Sequence, residues 1–229
     1  MRAIGFSTGA LAKGDFVRGI ELQRSHAGLK AIELSALRDH ELGPLAGAVE
    51  SLPLEGFDYV SLHAPSRLGS LSEDEVIAAL SRVPPHWPLV VHPEILVTPE
   101  KWRSLGGRLC LENMDNRKTS GRTVAEMREW FTLLPEARFC LDLGHARQID
   151  PTMTVALLLL SEFGERLSQL HVSEVGPGGE HLPIHALAAL AFGRVVHRVP
   201  PDCAVIIESV VAAGRMSREI ATVRQIFDS

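Results

Sequence analysis

The sequence reads as an α/β chain that closes into a (β/α)8 TIM barrel, and three observations lead there. Eight short apolar runs alternate with amphipathic segments over 229 residues, about 29 residues per unit, the spacing of a compact eightfold barrel. Acidic or imidazole side chains recur at the outer ends of seven of those eight runs. "RVPPHWPLVVHPE" (82–94) is echoed by "RVPPDCAVIIESV" (198–210) at an offset of 116 residues, about half the chain, as in a barrel built from two halves. A doubly wound sheet carries fewer strands and an early glycine-rich phosphate loop, and neither GxGxxG nor a Walker A pattern occurs here. Residues 1–229 are therefore read as one barrel domain.

The expected strands, in order, are "RAIGFS" (2–7), "AIELSA" (31–36), "YVSLHA" (59–64) and "LVVHPE" (89–94). The second half supplies "LCLENM" (109–114), "FCLDLG" (139–144), "LSQLHVS" (167–173) and "VIIESV" (205–210). Their continuous apolar character suits strands buried on both faces. Helix-start signals fall between them: Ser72 with Glu75, Thr98 before Pro99, Thr123 with Glu126, and Pro151.

Composition narrows the class. Hydrophobic residues make up 45% and charged residues 22%, an ordinary globular mixture, and the formal net charge is −5. That balance argues against gripping a phosphate backbone, because such domains are usually basic. Three cysteines without metal-finger or CxxC spacing fit a reducing compartment, so the expected location is cytoplasmic. The N-terminus has no secretory pattern, and "TVALLLL" (154–160) is too short to span a bilayer, so no membrane partner is expected.

In a barrel of this kind, chemistry sits at the C-terminal ends of the strands. The polar residues there are Glu33, His63, His92, Glu112, Asp142 with His145, His171 and Glu208, with His181 in the loop after strand seven; strand one ends in Ser7 and Thr8. A single histidine at a strand end is most often a satisfied or solvated side chain. Several carboxylates and imidazoles converging on one mouth would repel or stay unpaired unless a cation binds them. Divalent zinc or manganese, one or two per chain, is the expected cofactor, because these ions accept His, Asp and Glu. His26, His40, His86 and His197 lie in helices or before strands and read as structural or solvated. His181 and His185 have the spacing of a helical zinc pair, but Pro183 leaves His181 in a loop.

These pieces resemble the xylose-isomerase-like TIM-barrel superfamily, which includes endonuclease IV and the sugar and sugar-phosphate isomerases and epimerases. The resemblance covers all eight units and is most specific in "LEN" (111–113), "DLGHA" (142–146), "LHVS" (170–173), "HLPI" (181–184) and "IES" (207–209). It implies that Glu112, Asp142, His171 and Glu208 hold one metal. His63 in "SLHAP" and His92 in "VHPE" match the endonuclease IV branch, where they imply a second metal bridged by Glu112. In that branch a third metal uses the residues matching His145, His181 and an acid two positions before His181. Here that position is Gly179, with Glu180 one residue away, so the resemblance does not carry a complete third site.

Two activities follow. The first is a metal-dependent isomerase or epimerase of a small sugar, sugar phosphate or hydroxy-keto acid, with Glu112 and Glu208 as acid and base and His145 orienting a substrate hydroxyl. Arg117 and Lys118 in the loop "NMDNRKTSGRT" (113–123) are the expected clamp for a phosphate or carboxylate, and Glu33 and His181 complete the expected substrate-binding set. The alternative is di-metal phosphoester hydrolysis, favoured by His63 and His92. Units this short leave little chain for loops that enter a duplex, so a small-molecule substrate is expected rather than nucleic acid. A non-catalytic barrel would have let its ligand positions decay to inert residues, the opposite of this pattern.

Overall fold

The computed structural model describes residues 2–228. The strands are β1 (Ile4–Phe6), β2 (Ala31–Ser35), β3 (Tyr59–His63), β4 (Leu89–Val91), β5 (Leu109–Glu112), β6 (Arg138–Asp142), β7 (Leu167–Val172), β8 (Glu174–Val175), β9 (His181–Leu182) and β10 (Ala204–Ile207). Eight of them pair in parallel in the order β1-β10-β7-β6-β5-β4-β3-β2, while β8 and β9 form a small antiparallel hairpin after β7. The two ends of the sheet meet where Ser7 bridges Glu33 and the Lys30 N–H donates to Ile4 O at 2.9 Å. The result is a nearly closed (β/α)8 barrel.

Among the described residues ten helices cover its outside: α1 (Thr8–Ala12), α2 (Phe16–Arg24), α3 (Asp39–Ala48), α4 (Glu73–Ser81), α5 (Pro99–Trp102), α6 (Val124–Leu133), α7 (Leu143–Ile149), α8 (Thr154–Phe163), α9 (Ala186–Gly193) and α10 (Met216–Phe227). None of these helices is long and apolar enough to cross a membrane. Two of the start signals work through their side chains, whereas Thr98 precedes Pro99 at the start of α5 without a side-chain cap. Ser72 Oγ accepts from Glu75 N while Glu75 returns a carboxylate oxygen to Ser72 N, and Thr123 Oγ1 accepts from Glu126 N. Pro151 is different: it lies in a turn, and α8 begins at Thr154. Asp150 organises that turn by accepting from Thr152 N and Val155 N, with Met153 in the left-handed region at φ 65°.

The main core lies between sheet and helices and includes Phe6, Leu34, Leu62, Leu111, Leu141, Val172 and Ile207. Alternate residues along each strand face the other way, into the barrel. There the lower layers are small and apolar: Ala31, Ala204 and Ile206 with Ala3 and Tyr59, and Val90 with the free thiols Cys110 and Cys140. Two residues further along the same strands the inward positions turn polar, at Glu33, Glu112, Asp142 and Glu208. The same alternation that fills the barrel floor therefore delivers ligand-type side chains to its mouth.

Candidate metal centre

Glu112, at the end of β5 and 1% exposed, is the hub of the mouth. Its Oε2 lies 3.0 Å from His63 Nε2 and 3.1 Å from His92 Nε2. Its Oε1 lies 3.2 Å from His171 Nδ1 and 3.4 Å from His145 Nδ1. One carboxylate thus faces two sets of imidazoles with its two oxygens. Potential donor atoms of Glu112, Asp142, His171 and Glu208 all fall within 4.8 Å of one another, as do those of His63, His92 and Glu112, and of His63, His171 and Glu208.

Local hydrogen bonds prepare these side chains. His63 donates from Nδ1 to Ala64 O at 2.7 Å, and its Nε2 faces Glu112 Oε2 at 3.0 Å. Burial lowers the imidazole, but the Glu112 hydrogen bond and the Glu33 charge raise it to about 9, so Nε2 donates to the carboxylate and would yield that proton to a cation. His145 donates from Nδ1 to Asn113 O at 2.9 Å. Asp142 is both the last residue of β6 and the cap of α7, accepting from His145 N at 2.7 Å through Oδ1. Its Oδ2 is buried without a hydrogen-bond partner, as is His92 Nδ1. Orphaned buried polar atoms are costly, so an oxygen left open beside three other ligand-type groups fits a cation at that point.

No protein-family model matches the sequence, and no curated protein matches it significantly. Solved structures do. Endonuclease IV from Thermus thermophilus superposes with a TM-score of 0.63 at 19% identity, covering 99% of both chains. A family 2 AP endonuclease from Brucella melitensis gives 0.61 at 13% identity, covering 92% of this chain and 93% of that one. A protein from Anabaena variabilis ATCC 29413, provisionally assigned as a sugar phosphate isomerase/epimerase, gives 0.59 at 13% identity and covers 96% and 88%. At such identities the likeness shows the fold alone, a (β/α)8 barrel, and the chemistry rests on this chain's own side chains.

The electrostatics follow from crowding. Burial raises the Asp142 carboxyl, and neighbouring Glu112 adds to the rise against the pull of His145. Burial likewise pushes Glu208 up to about 8, with Glu112, Asp142 and Glu33 adding to it against His171. Glu112 goes the other way: burial opposes ionisation, but His171, His92 and His63 together hold its carboxyl well below the usual range. Burial and the adjacent His145 drop His181 to about 3. Clustered acids that resist ionisation are what a divalent cation would relieve.

The remaining expected site residues separate by position. His181, on β9, accepts or donates at Ser173 Oγ (2.9 Å) and lies 3.3 Å from Glu208, so it lines the mouth. Among the described residues no acid joins it and His145 in a metal-type group; Glu180 instead accepts from Gly178 N. Glu33, expected to touch substrate, has no exposed surface and pairs with His171 below the mouth. Arg117 and Lys118 do not reach the mouth as a clamp. Arg117 is turned onto Asp115 at 2.8 and 3.0 Å and onto Gly178 O, and Lys118 pairs with Glu94. His185 caps α9, accepting from Ala188 N, so it shares no helical face with His181. The cavity at the mouth is small, about 120 Å³, and is lined by Ser7, Ser35, Leu37 and Ser66 with His63, His92, His145, His181, Glu112 and Glu208.

Asn113, Asp115 and Gln169 are parts of the centre that residue type alone does not single out. Asn113 holds Asp142 and His145, Asp115 holds Arg117 with its Oδ2 4.0 Å from His145 Nε2, and Gln169 hydrogen-bonds Glu33. Asn113 sits inside the quoted "LEN", so the motif contains it without revealing its role.

Proposed function

We propose that this barrel is a di-metal hydrolase of phosphoester bonds, acting at the mouth on a substrate whose reacting group enters the small cavity. The observation that carries the reading is the division of Glu112, with Oε2 toward His63 and His92 and Oε1 toward His171. Two divalent ions held by these groups would supply an activated water and neutralise a leaving oxygen. The chain's own residues prepare for this. Glu112 sets the separation of the two ligand groups, and the Ala64 carbonyl orients His63 so that Nε2 is the nitrogen turned to Glu112, where a cation would displace its proton. Glu208, with His181 3.3 Å away, is the carboxylate placed to hold a proton at the cavity wall. Ser7, beside Glu208 across the β1–β10 pair, and Ser35, 2.6 Å from Ser7, line the same cavity and offer hydroxyls to substrate oxygens.

A second reading, isomerisation or epimerisation of a small sugar or hydroxy-keto acid at a single metal, draws support from the size of the cavity and its hydroxyl-rich wall. It requires Glu112 to exchange protons with substrate. That is difficult for a side chain 1% exposed with both oxygens facing imidazoles.

Metal analysis by inductively coupled plasma mass spectrometry separates the two. Wild type is expected to hold two ions and His92→Ala one, with loss of bis(p-nitrophenyl) phosphate hydrolysis. One ion in both proteins, with solvent deuterium exchanged into a small ketose, would establish the isomerase instead. No metal after reconstitution with zinc or manganese would overturn both.

A further inference from the structure

Glu33 lies inside the barrel with no accessible surface; donors gather at its Oε2, while Oε1 is buried without a hydrogen-bond partner. Its Oε2 receives Gln169 Nε2 at 2.7 Å and Ser61 Oγ at 3.2 Å, and it lies 3.0 Å from His171 Nε2. Tyr59 Oη donates to Gln169 Oε1 at 2.8 Å, so side chains from β2, β3 and β7 form one hydrogen-bonded chain beneath His171. The other nitrogen of that ring, Nδ1, faces Glu112 Oε1 at 3.2 Å and Glu208 Oε2 at 3.5 Å. A neutral imidazole has one N–H and one lone pair, a carboxylate can only accept, and a metal takes the lone pair.

We infer that Glu33 is a positioning residue: by drawing the proton of His171 to Nε2 it leaves Nδ1 as the metal-binding atom. This rests on the metal-centre reading above and assigns Glu33 a task distinct from substrate contact. A carboxylate behind a ligating histidine fixes its tautomer and orientation and raises its basicity, and losing such a partner typically weakens metal binding tenfold to a hundredfold. The arrangement also gives a reason for a carboxylate with no exposed surface inside the barrel. Glu33 offers Oε2 to three donors, one of them Gln169 Nε2, which also lies 2.7 Å from His171 Nε2; two N–H groups cannot bond each other, so the proton on Nε2 is held by the negative carboxylate against the amide.

The test uses the whole chain labelled with ¹⁵N-histidine. In the ¹¹³Cd-loaded protein, cadmium coupling is expected at His171 Nδ1, with Nε2 carrying the proton; coupling at Nε2 would overturn the proposal. In Glu33→Gln, zinc affinity of the group containing His171 is expected to fall about tenfold to a hundredfold in chelator competition. The His63/His92 group should keep its affinity. A folded variant with unchanged affinity at both groups would also overturn the proposal. Should the variant not fold, the wild-type tautomer and coupling decide alone. Should wild type bind no metal, the metal-centre reading fails, and the metal-free spectrum, recorded at a pH high enough to leave the ring neutral, still judges Glu33: an Nε2–H tautomer at His171 supports it and an Nδ1–H tautomer rejects it.

Discussion

Asn113 is the side chain on which the geometry of two site residues converges. Its Nδ2 donates to Asp142 O at 2.9 Å and its Oδ1 accepts from Asp142 N at 2.8 Å, so an amide extends the β5–β6 ladder beyond the end of β5. Its own carbonyl receives His145 Nδ1. Asn113→Asp keeps the shape but sets an oxygen against the Asp142 carbonyl with no proton between them, in a position with no exposure. The expected cost is about 2–3 kcal/mol, the penalty for an unsatisfied buried acceptor, measured as a lower urea midpoint with unchanged slope. Weaker metal retention should accompany it; an unchanged midpoint would mean that the amide pairing contributes little. Ligand types at this scale are legible because acids and imidazoles at strand exits stand out from apolar runs. Their partners are not. Arg117 and Lys118 look free because sequence does not reveal that Asp115 folds back onto the first and that Glu94, on another loop, meets the second.

The elements themselves are largely readable, and the exceptions have local causes. Six of the eight barrel strands fall within the apolar runs, and β6 and β10 begin one residue before theirs, since strands covered on both faces leave a plain signal. The run 139–144 reads two residues too long, because Asp142 ends β6 and caps α7 at once. The β8–β9 hairpin leaves no such signal because "EVGPGGEHL" lacks alternation, and it matters because it carries His181 into the mouth. Gly144 explains how α7 can start so abruptly against that hairpin. A Cβ there would lie 2.5 Å from Ser173 O, 2.7 Å from Val175 Cγ2 and 3.2 Å from Asp142 Oδ1. Two of those contacts are to backbone or a packed side chain, so Gly144→Ala must displace α7, and Asp142 and His145 with it. The variant is expected to lose about 2 kcal/mol of stability and to bind zinc more weakly at the group containing Asp142. Thermal melts and chelator competition read both, and wild-type values for each would show that α7 has slack.

At the scale of the whole molecule, what the site needs is closure. Ligands contributed by β3, β5, β6, β7 and the exits of β4 and β10 meet only if the sheet curls until β1 reaches β2. The echo between residues 82–94 and 198–210 has a counterpart here, since His92 and Glu208 both line the mouth cavity. The closing seam itself is thin: the Ser7–Glu33 bridge, the Lys30 N–H to Ile4 O, the Ser7–Ser35 hydroxyl pair and the Ser35 N–H to Thr8 Oγ1. Gly5 makes the seam possible. A Cβ on Gly5 would fall 1.6 Å from Ala31 O and 2.3 Å from Ala31 C, on backbone that no side-chain rotation can clear. Gly5→Ala must therefore push β1 away from β2, beside the residues that hold Glu33. The expected loss is about 3 kcal/mol, at the upper end for overpacking, or roughly 6–12 °C in Tm for a chain of this size. Gly47→Ala supplies the contrast, because nothing lies within 4 Å of a Cβ at that exposed position of α3, and there stability should rise by up to about 1 kcal/mol. Equal and small effects at the two glycines would mean that the barrel tolerates an open seam. A large loss confined to Gly5, with metal affinity falling alongside Tm, would tie the centre to closure of the whole barrel.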